Sequence, residues 1–340
     1  MEVEIRVMQK FNRENITENR LYDKTLFENE SFEKSGFFNK LKLSNCELIN
    51  ASFNDESFTM TSLVKTVVNK CVFENCVFTR ATFVDCDFTD CRFENCKFDI
   101  SQVRDGSFIS TYFDNNEFHK SNITTTKFDS TKIVDGVLFK SKFMQNNFIN
   151  TAFEKMPIES CDFKESVFED VDFSFINKNG NNFSKCEMAD ADFSNVTFVG
   201  SAIFIETNLR KAIFKNAITN GLNFYNANLT DIEFTKVSFV KSQFEGANIS
   251  SGKINNSAFA YCNFKDAKLA KVECNNNSFE ICNMSYADFT GVDFATNSFN
   301  YVNFHRAIGE ENLKKAKAVT MSKNTDADRK KAEEWSYVEN

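Results

Sequence analysis

The chain has 340 residues, a formal net charge of −8 and only 10 Gly, 1 Pro and 1 Trp against 41 Phe. Soluble domains usually carry Gly near ~7% and Pro near ~5%, so the usual punctuation between helices and strands is missing. So much Phe excludes disorder, a sequence pI near 5.1 argues against direct nucleic-acid binding, and no run of ~18 apolar residues offers a membrane span.

In chain order, Glu2-Val3-Glu4-Ile5-Arg6-Val7 alternates and predicts a strand covering an open end, within an N-terminal cap of residues 1–21. The same stretch is too charged for a signal peptide. Tyr22, Phe27, Phe32 and Phe37 are then spaced by five, and Phe38, Leu43 and Leu48 carry the spacing on, offset by one. From Phe53 an apolar residue recurs at every fifth position to Phe198. After a one-residue shift the series resumes at Phe204 and runs to Phe304. Phe fills 34 of these 51 positions, and only Lys178 and Thr219 break their apolar character. Neither the 3.6-residue period of a helix nor the 2.0 of a strand places every fifth residue on one face.

A small side chain precedes the large one by two residues, as in Ala51, Cys71, Cys76, Ala81, Cys86, Cys91, Cys96, Ser101, Ala191 and Ala287. Small and large inward residues separated by one outward residue describe a short extended piece. The remaining polar residues face water and turn the chain. Each pentad is therefore one side of a coil, and coils stack as in other solenoids.

Ala191-Asp192-Phe193-Ser194-Asn195, Ala227-Asn228-Leu229-Thr230-Asp231 and Ala287-Asp288-Phe289-Thr290-Gly291 resemble the consensus of the pentapeptide-repeat family, with a Cys-x-Phe variant between Cys71 and Phe98. The resemblance covers roughly residues 22–304. It implies an all-β fold, a right-handed quadrilateral β-helix with four pentads and 20 residues per coil. Internal sequence agrees: Cys71-Val72-Phe73-Glu74-Asn75-Cys76 recurs 20 residues later as Cys91-Arg92-Phe93-Glu94-Asn95-Cys96.

Ten of the eleven Cys occupy the small inward position and Cys274 a large one, so all read as buried packing residues. The pairs Cys71/Cys91, Cys76/Cys96 and Cys262/Cys282 should stack directly. Free thiols in this number suggest a reducing compartment, the cytoplasm, with delivery into a host cell left open. The two histidines, His119 and His305, each follow a lattice Phe and are expected to point outward, far apart in sequence. No catalytic constellation, cofactor motif or metal-ligand spacing emerges, and the chain reads as non-enzymatic.

Charge is uneven. Residues 22–200 carry 28 acidic and 19 basic side chains, whereas residues 201–304 carry 9 of each. Positions 20 apart form an acidic ladder of Glu74, Glu94, Asp114 and Glu154, and a second line of Asp90, Asp170 and Asp190; an Asn column, Asn75, Asn95 and Asn115, runs beside the first. These are the candidate interaction residues. Ile176-Asn177-Lys178-Asn179-Gly180, Val199-Gly200-Ser201 and Thr219-Asn220-Gly221 are lattice defects that mark a segment break near 176–221.

After Phe304 the period is lost, and residues 305–340 predict helices over 310–319 and from a capping box at Thr325-Asp326-Ala327-Asp328 through Trp335 to Val338. Trp335 and Val338 would either cap the last coil or pair two copies into a homodimer. The sequence therefore describes a protein-interaction module or scaffold with an unknown protein partner. The alternative, implied by quinolone-resistance relatives, is a DNA-mimicking binder of DNA gyrase or another topoisomerase. The charge argues against the alternative, since a duplex of ~65 Å, about the length of the stacked coils at ~4.8 Å each, would carry about 40 charges at one per ~1.7 Å, against a net −9 over residues 22–200.

Overall fold

A pentad such as Cys71–Asn75 buries its first and third residues and exposes the others, the period-two alternation of a strand one face of which meets a core. The strand ends after three residues, Val72–Glu74, because the next residue turns the corner. Asn75, Asn95 and Asn115 have φ of 53, 52 and 51°, in the left-handed region. Asn and Asp tolerate that region through local hydrogen bonds of their short side chains. Lys, Ser and even Ile100 (φ 55°) and Ile281 (φ 51°) also occupy it. Corners are thus turned at the same pentad position throughout, almost without glycine, which accounts for the composition.

The computed structural model describes residues 8–15, 20–154, 158–171, 173, 180–198 and 200–334. They belong to two compact units, Met1–Asn182 and Phe183–Asn340. Both are parallel stacked-coil β-solenoids. In the first unit four parallel sheets of nine, seven, six and four strands form the four sides of the coil. Register is set by residues 20 apart: Val72, Phe73 and Glu74 lie beside Arg92, Phe93 and Glu94. Backbone groups pair from coil to coil, Arg92 N–H to Cys71 O at 2.9 Å and Asn75 N–H to Glu94 O at 2.9 Å. In the second unit a four-stranded and a six-stranded sheet form two sides. Its other two sides are joined by single bridges such as Asn223 to Gln243 and Asn228 to Asn248.

Registry stacks the lattice side chains into columns. Phe53, Phe73, Phe93 and Phe113 follow one another at ring-centroid distances of 4.7, 4.5 and 4.8 Å, with planes within 10° of parallel. Neighbouring columns meet edge to face, as Phe73 and Phe78 do at 5.8 Å and 63°. Both geometries suit the ring quadrupole. All eleven Cys are free and buried, and the stacked thiols donate to backbone carbonyls of the neighbouring coil, Cys71 to Leu48 O and Cys91 to Val68 O at 3.3 Å and Cys76 to Phe53 O and Cys96 to Phe73 O at 3.4 Å. Burial pushes the Cys86, Cys161 and Cys274 thiols up to about 12.

The shift at Val199-Gly200-Ser201 is absorbed as the spacing implies. Asp192 and Thr197 pair 21 residues on with Ile213 and Ile218, whereas Ile203 pairs 20 on with Asn223. An earlier insertion stands at Gly36, whose φ is 63°: Ser31 pairs with Ser52, but Lys42 pairs with Ser62. Phe37 and Phe38 are then both buried. Arg20 donates to the Gly36 and Phe37 carbonyls, and the buried Glu56 accepts the Ser35 N–H. Glu56 holds the inward small-residue position two before Phe58, where the repeat pattern puts it and its charge alone would not.

Several expectations are corrected. Thr219 does not interrupt the lattice: it is buried, stays in register with Phe239, and its hydroxyl donates to Ser238 O at 3.2 Å. The solenoid does not end at Phe304. Ile308 bridges Asp288, the strand Ala318–Thr320 pairs with Ser298–Asn300, and Lys323 bridges Asn303. Of the helix expected over 310–319 only a 3-10 turn, Glu310–Lys315, forms, and it replaces one side of that last coil. Before residue 22, Gln9–Lys10 already pairs in parallel with Thr25 and Leu26. The covering strand expected at Glu2–Val7 and the lattice defect at Ile176–Asn179 lie outside the described residues.

Two substitutions test the column and the corner. Phe93→Ala should lower stability by about 3–5 kcal/mol, read from chemical unfolding. Ile100→Asn should raise it by about 1 kcal/mol by relieving a β-branched residue from the left-handed region. A loss on Ile100→Asn would contradict the corner account.

Candidate functional site

With the interior given over to packing, candidate chemistry lies on outward columns. Glu74, Glu94 and Asp114 stand side by side on consecutive strands. The column continues through Val134 to Glu154, and Val134 is buried, so the acidic ladder is three residues long with Glu154 set apart. The neighbouring column supplies the counter-charges. Arg92 Nε lies 3.0 Å from Glu94 Oε2 and Arg92 Nη2 3.8 Å from Asp114 Oδ2, while Lys132 Nζ lies 2.9 Å from Glu154 Oε1. The Arg92 guanidinium also covers the Tyr112 ring at 5.2 Å. The Asn column forms beside it at the corner, Asn115 Nδ2 donating to Asn95 Oδ1 at 2.8 Å.

The second line is not a patch. Asp90 and Asp170 share a corner column, four coils apart with Ser110, Ser130 and Asn150 between them. At ~4.8 Å per coil that is about 19 Å. Asp190 is an exposed corner residue of the other unit. Like charges at that separation are largely screened in physiological salt.

His119 lies where its lattice position puts it, outward, with Nδ1 3.0 Å from Asp99 Oδ1 and its ring on Phe139 at 5.5 Å and 1°. His305 corrects the sequence reading. Its position is outward, but it is only 2% exposed because the helix α1, Ala327–Glu334, lies over it. Asp326 N–H donates to His305 Nδ1 at 3.1 Å, which leaves Nε2–H to donate to Glu333 Oε2 at 3.1 Å. Arg329 Nε donates to Glu333 Oε1 at 2.8 Å, the Tyr286 hydroxyl acts on the same carboxylate, and Arg306 reaches Glu333 and Glu334 at 3.5 and 3.1 Å. The helix is capped by Asp326, whose Oδ1 accepts the Arg329 N–H at 2.9 Å, and not by the expected Thr325. The Thr325 hydroxyl is taken up by Glu310 and by the Arg306 N–H. Spacing alone could not reveal this cluster, since it joins residues from two coils to a helix of unrelated period. Trp335 and Val338 lie outside the described residues.

Among the described residues no group of three or more His, Cys, Asp or Glu could hold a metal ion, and no helix is long and apolar enough to cross a membrane.

The repeated pentads decide the family. One pentapeptide-repeat family model matches residues 183–228 and another matches 57–95, 161–200, 220–250 and 257–295. The chain belongs to the pentapeptide-repeat family. Similar solved structures include a pentapeptide-repeat protein of the Arabidopsis thaliana thylakoid lumen, 28% identical, covering 31% of this chain and 66% of that one at a TM-score of 0.21. Another is QnrB1, a plasmid-mediated fluoroquinolone resistance protein, 13% identical, covering 90% and 93% at 0.20. A third is HetL of the cyanobacterium Nostoc, involved in heterocyst differentiation regulation, 14% identical, covering 78% and 85% at 0.17. Superpositions this loose transfer no function to the present chain. No curated protein matches the sequence.

The Glu333 carboxyl is held at about 2, below its ordinary 4.5, by hydrogen bonds from Tyr286 and His305 and by Arg329. A lowered carboxylate stabilises the packed helix above its free value, and that contribution is lost as pH falls through about 2. Amide exchange along Arg329–Glu333 should therefore stay slow at pH near 4 and quicken toward 2. Glu333→Gln should remove that acid step.

Proposed function

We propose that this pentapeptide-repeat protein is a non-enzymatic interaction module that engages a protein partner through the outward columns of the first unit, centred on Glu74, Glu94 and Asp114. The observation that carries this reading is the division of labour within each pentad. Inward residues are consumed by the Phe columns, and only outward residues are free to vary, held at strand spacing on a rigid lattice. A carboxylate ladder so fixed loses little side-chain entropy on binding, and its charges speed encounter with a complementary partner. Arg92 is part of this surface. It relieves repulsion within the ladder and keeps Glu94 and Asp114 in fixed orientations.

The alternative, a DNA-mimicking binder of gyrase, draws on the same ladder. It is the weaker reading, because Arg92 and Lys132 neutralise much of the charge such a mimic would display, and because ion pairs also lace other columns, as between Lys97 and Glu117 and between Lys127 and Asp129.

Affinity capture with the full chain and with a Glu74→Gln, Glu94→Gln, Asp114→Asn variant tests the proposal. A stoichiometric partner should be retained by the parent, lost by the variant and released by salt. Equal capture by both would refute a role for the ladder, and inhibition of gyrase supercoiling lost in the same variant would favour the alternative.

A further inference from the structure

The end of the second unit presents a strand whose far edge is open among the described residues. Ala318–Thr320 is the last strand of the six-stranded sheet, bonded only to Ser298–Asn300. Every earlier coil passes its corner N–H upward: Tyr261 to Glu280 O at 2.9 Å, Ile281 to Asn300 O at 2.9 Å and Tyr301 to Thr320 O at 3.0 Å. The equivalent group of the last coil is the Met321 N–H, and no described strand lies above it. The core column beneath is open as well. Phe259, Phe279 and Phe299 stack at 4.9 and 5.1 Å and are buried, but Val319, next in that column, is 44% exposed and Met321 69%. Val319 lines an open cavity of about 410 Å³ together with Glu310, Glu311, Leu313, Lys314 and Asn324.

Charge around this edge has one dominant sign. Lys314, Lys315, Lys317 and Lys323 flank the strand, all are exposed, and among the described residues none makes an ion pair. Glu310 is engaged by the Thr325 hydroxyl and N–H, and Asp326, which lies near Met321 and Lys323, by the Arg329 N–H; Glu311 has no such bond among the described residues. Lysines on an edge discourage pairing with a like edge, so a second copy presenting the same four lysines is disfavoured. An acidic strand meets no such barrier.

We propose that the edge Ala318–Met321 is a docking site for an extended acidic peptide segment of a partner protein, added as a further strand with an apolar side chain set over Val319. Main-chain hydrogen bonds to the Met321 N–H and its neighbours give the attachment, the cavity selects an apolar residue, and the lysines select flanking Asp or Glu. This site is separate from the acidic ladder and stands or falls independently of it. A nucleic acid could satisfy the lysines but not the strand edge.

The test uses the full chain with a short fluorescent peptide of alternating Glu and Val, and a Lys–Val peptide as control. The Glu–Val peptide should bind saturably, weaken with salt, and slow amide exchange at Met321. Lys317→Glu with Lys323→Glu should lower its affinity by about tenfold or more, and Lys314→Glu with Lys315→Glu should act in the same direction. Absence of saturable binding, equal binding of the Lys–Val peptide, unchanged exchange at Met321, displacement by a single-stranded oligonucleotide that itself protects Met321, or dimers formed through this edge in light scattering would each overturn the proposal.

Discussion

Parallel hydrogen bonding between coils holds each residue above the one a full coil earlier, as Phe73 is held beside Phe53 and Phe93. That registry turns a local pentad into continuous columns. Rings 4.5–4.8 Å apart along the Phe53 to Phe113 column exclude water from both faces of each ring. The packing therefore depends on the backbone ladder, and the ladder is in turn shielded by the packing. Contacts reach only adjacent coils, so stability accumulates nearly additively along each unit. Single-residue insertions at Gly36 and Gly200 are tolerated because the ladder resumes one coil later with its inward side chains still inward.

The same registry governs the surface. Residues of like charge cannot avoid one another when they recur at coil spacing, and the chain answers with cations in the adjacent column, Arg92 between Glu94 and Asp114 and Lys132 beside Glu154. Exposed pairs of this kind contribute only about 0–1 kcal/mol each. They orient the ladder more than they stabilise the fold. At the corners the constraint is conformational. Each turn needs a left-handed residue, and residues such as Ile281 show that inter-coil bonding can hold even a β-branched side chain there.

The end of the second unit departs from this regularity. The 3-10 turn Glu310–Lys315 replaces a strand, and α1 binds across the coil ends through His305, Tyr286, Arg306 and Glu333. An outward position thereby becomes a buried one. The same coil carries its strand to Thr320 with one edge uncovered among the described residues.

The period of five, the small–x–large pattern and the 20-residue recurrence of Cys71–Cys76 in Cys91–Cys96 were enough to determine the fold, the inward cysteines and the register shift near Gly200. They sufficed because each of these is a matter of which residues share a face, and a periodic chain states that in one dimension. The neighbours of a non-repeating segment were decided only in three dimensions. Burial of His305, the cap at Asp326 in place of Thr325, the partner that Glu56 finds in the Gly36 insertion and the open edge at Val319 all depend on where an aperiodic stretch comes to rest against the lattice. That placement is set by hydrogen bonds between residues at irregular separations, such as Glu333 to His305 and Glu56 to Ser35, for which the repeat has no rule.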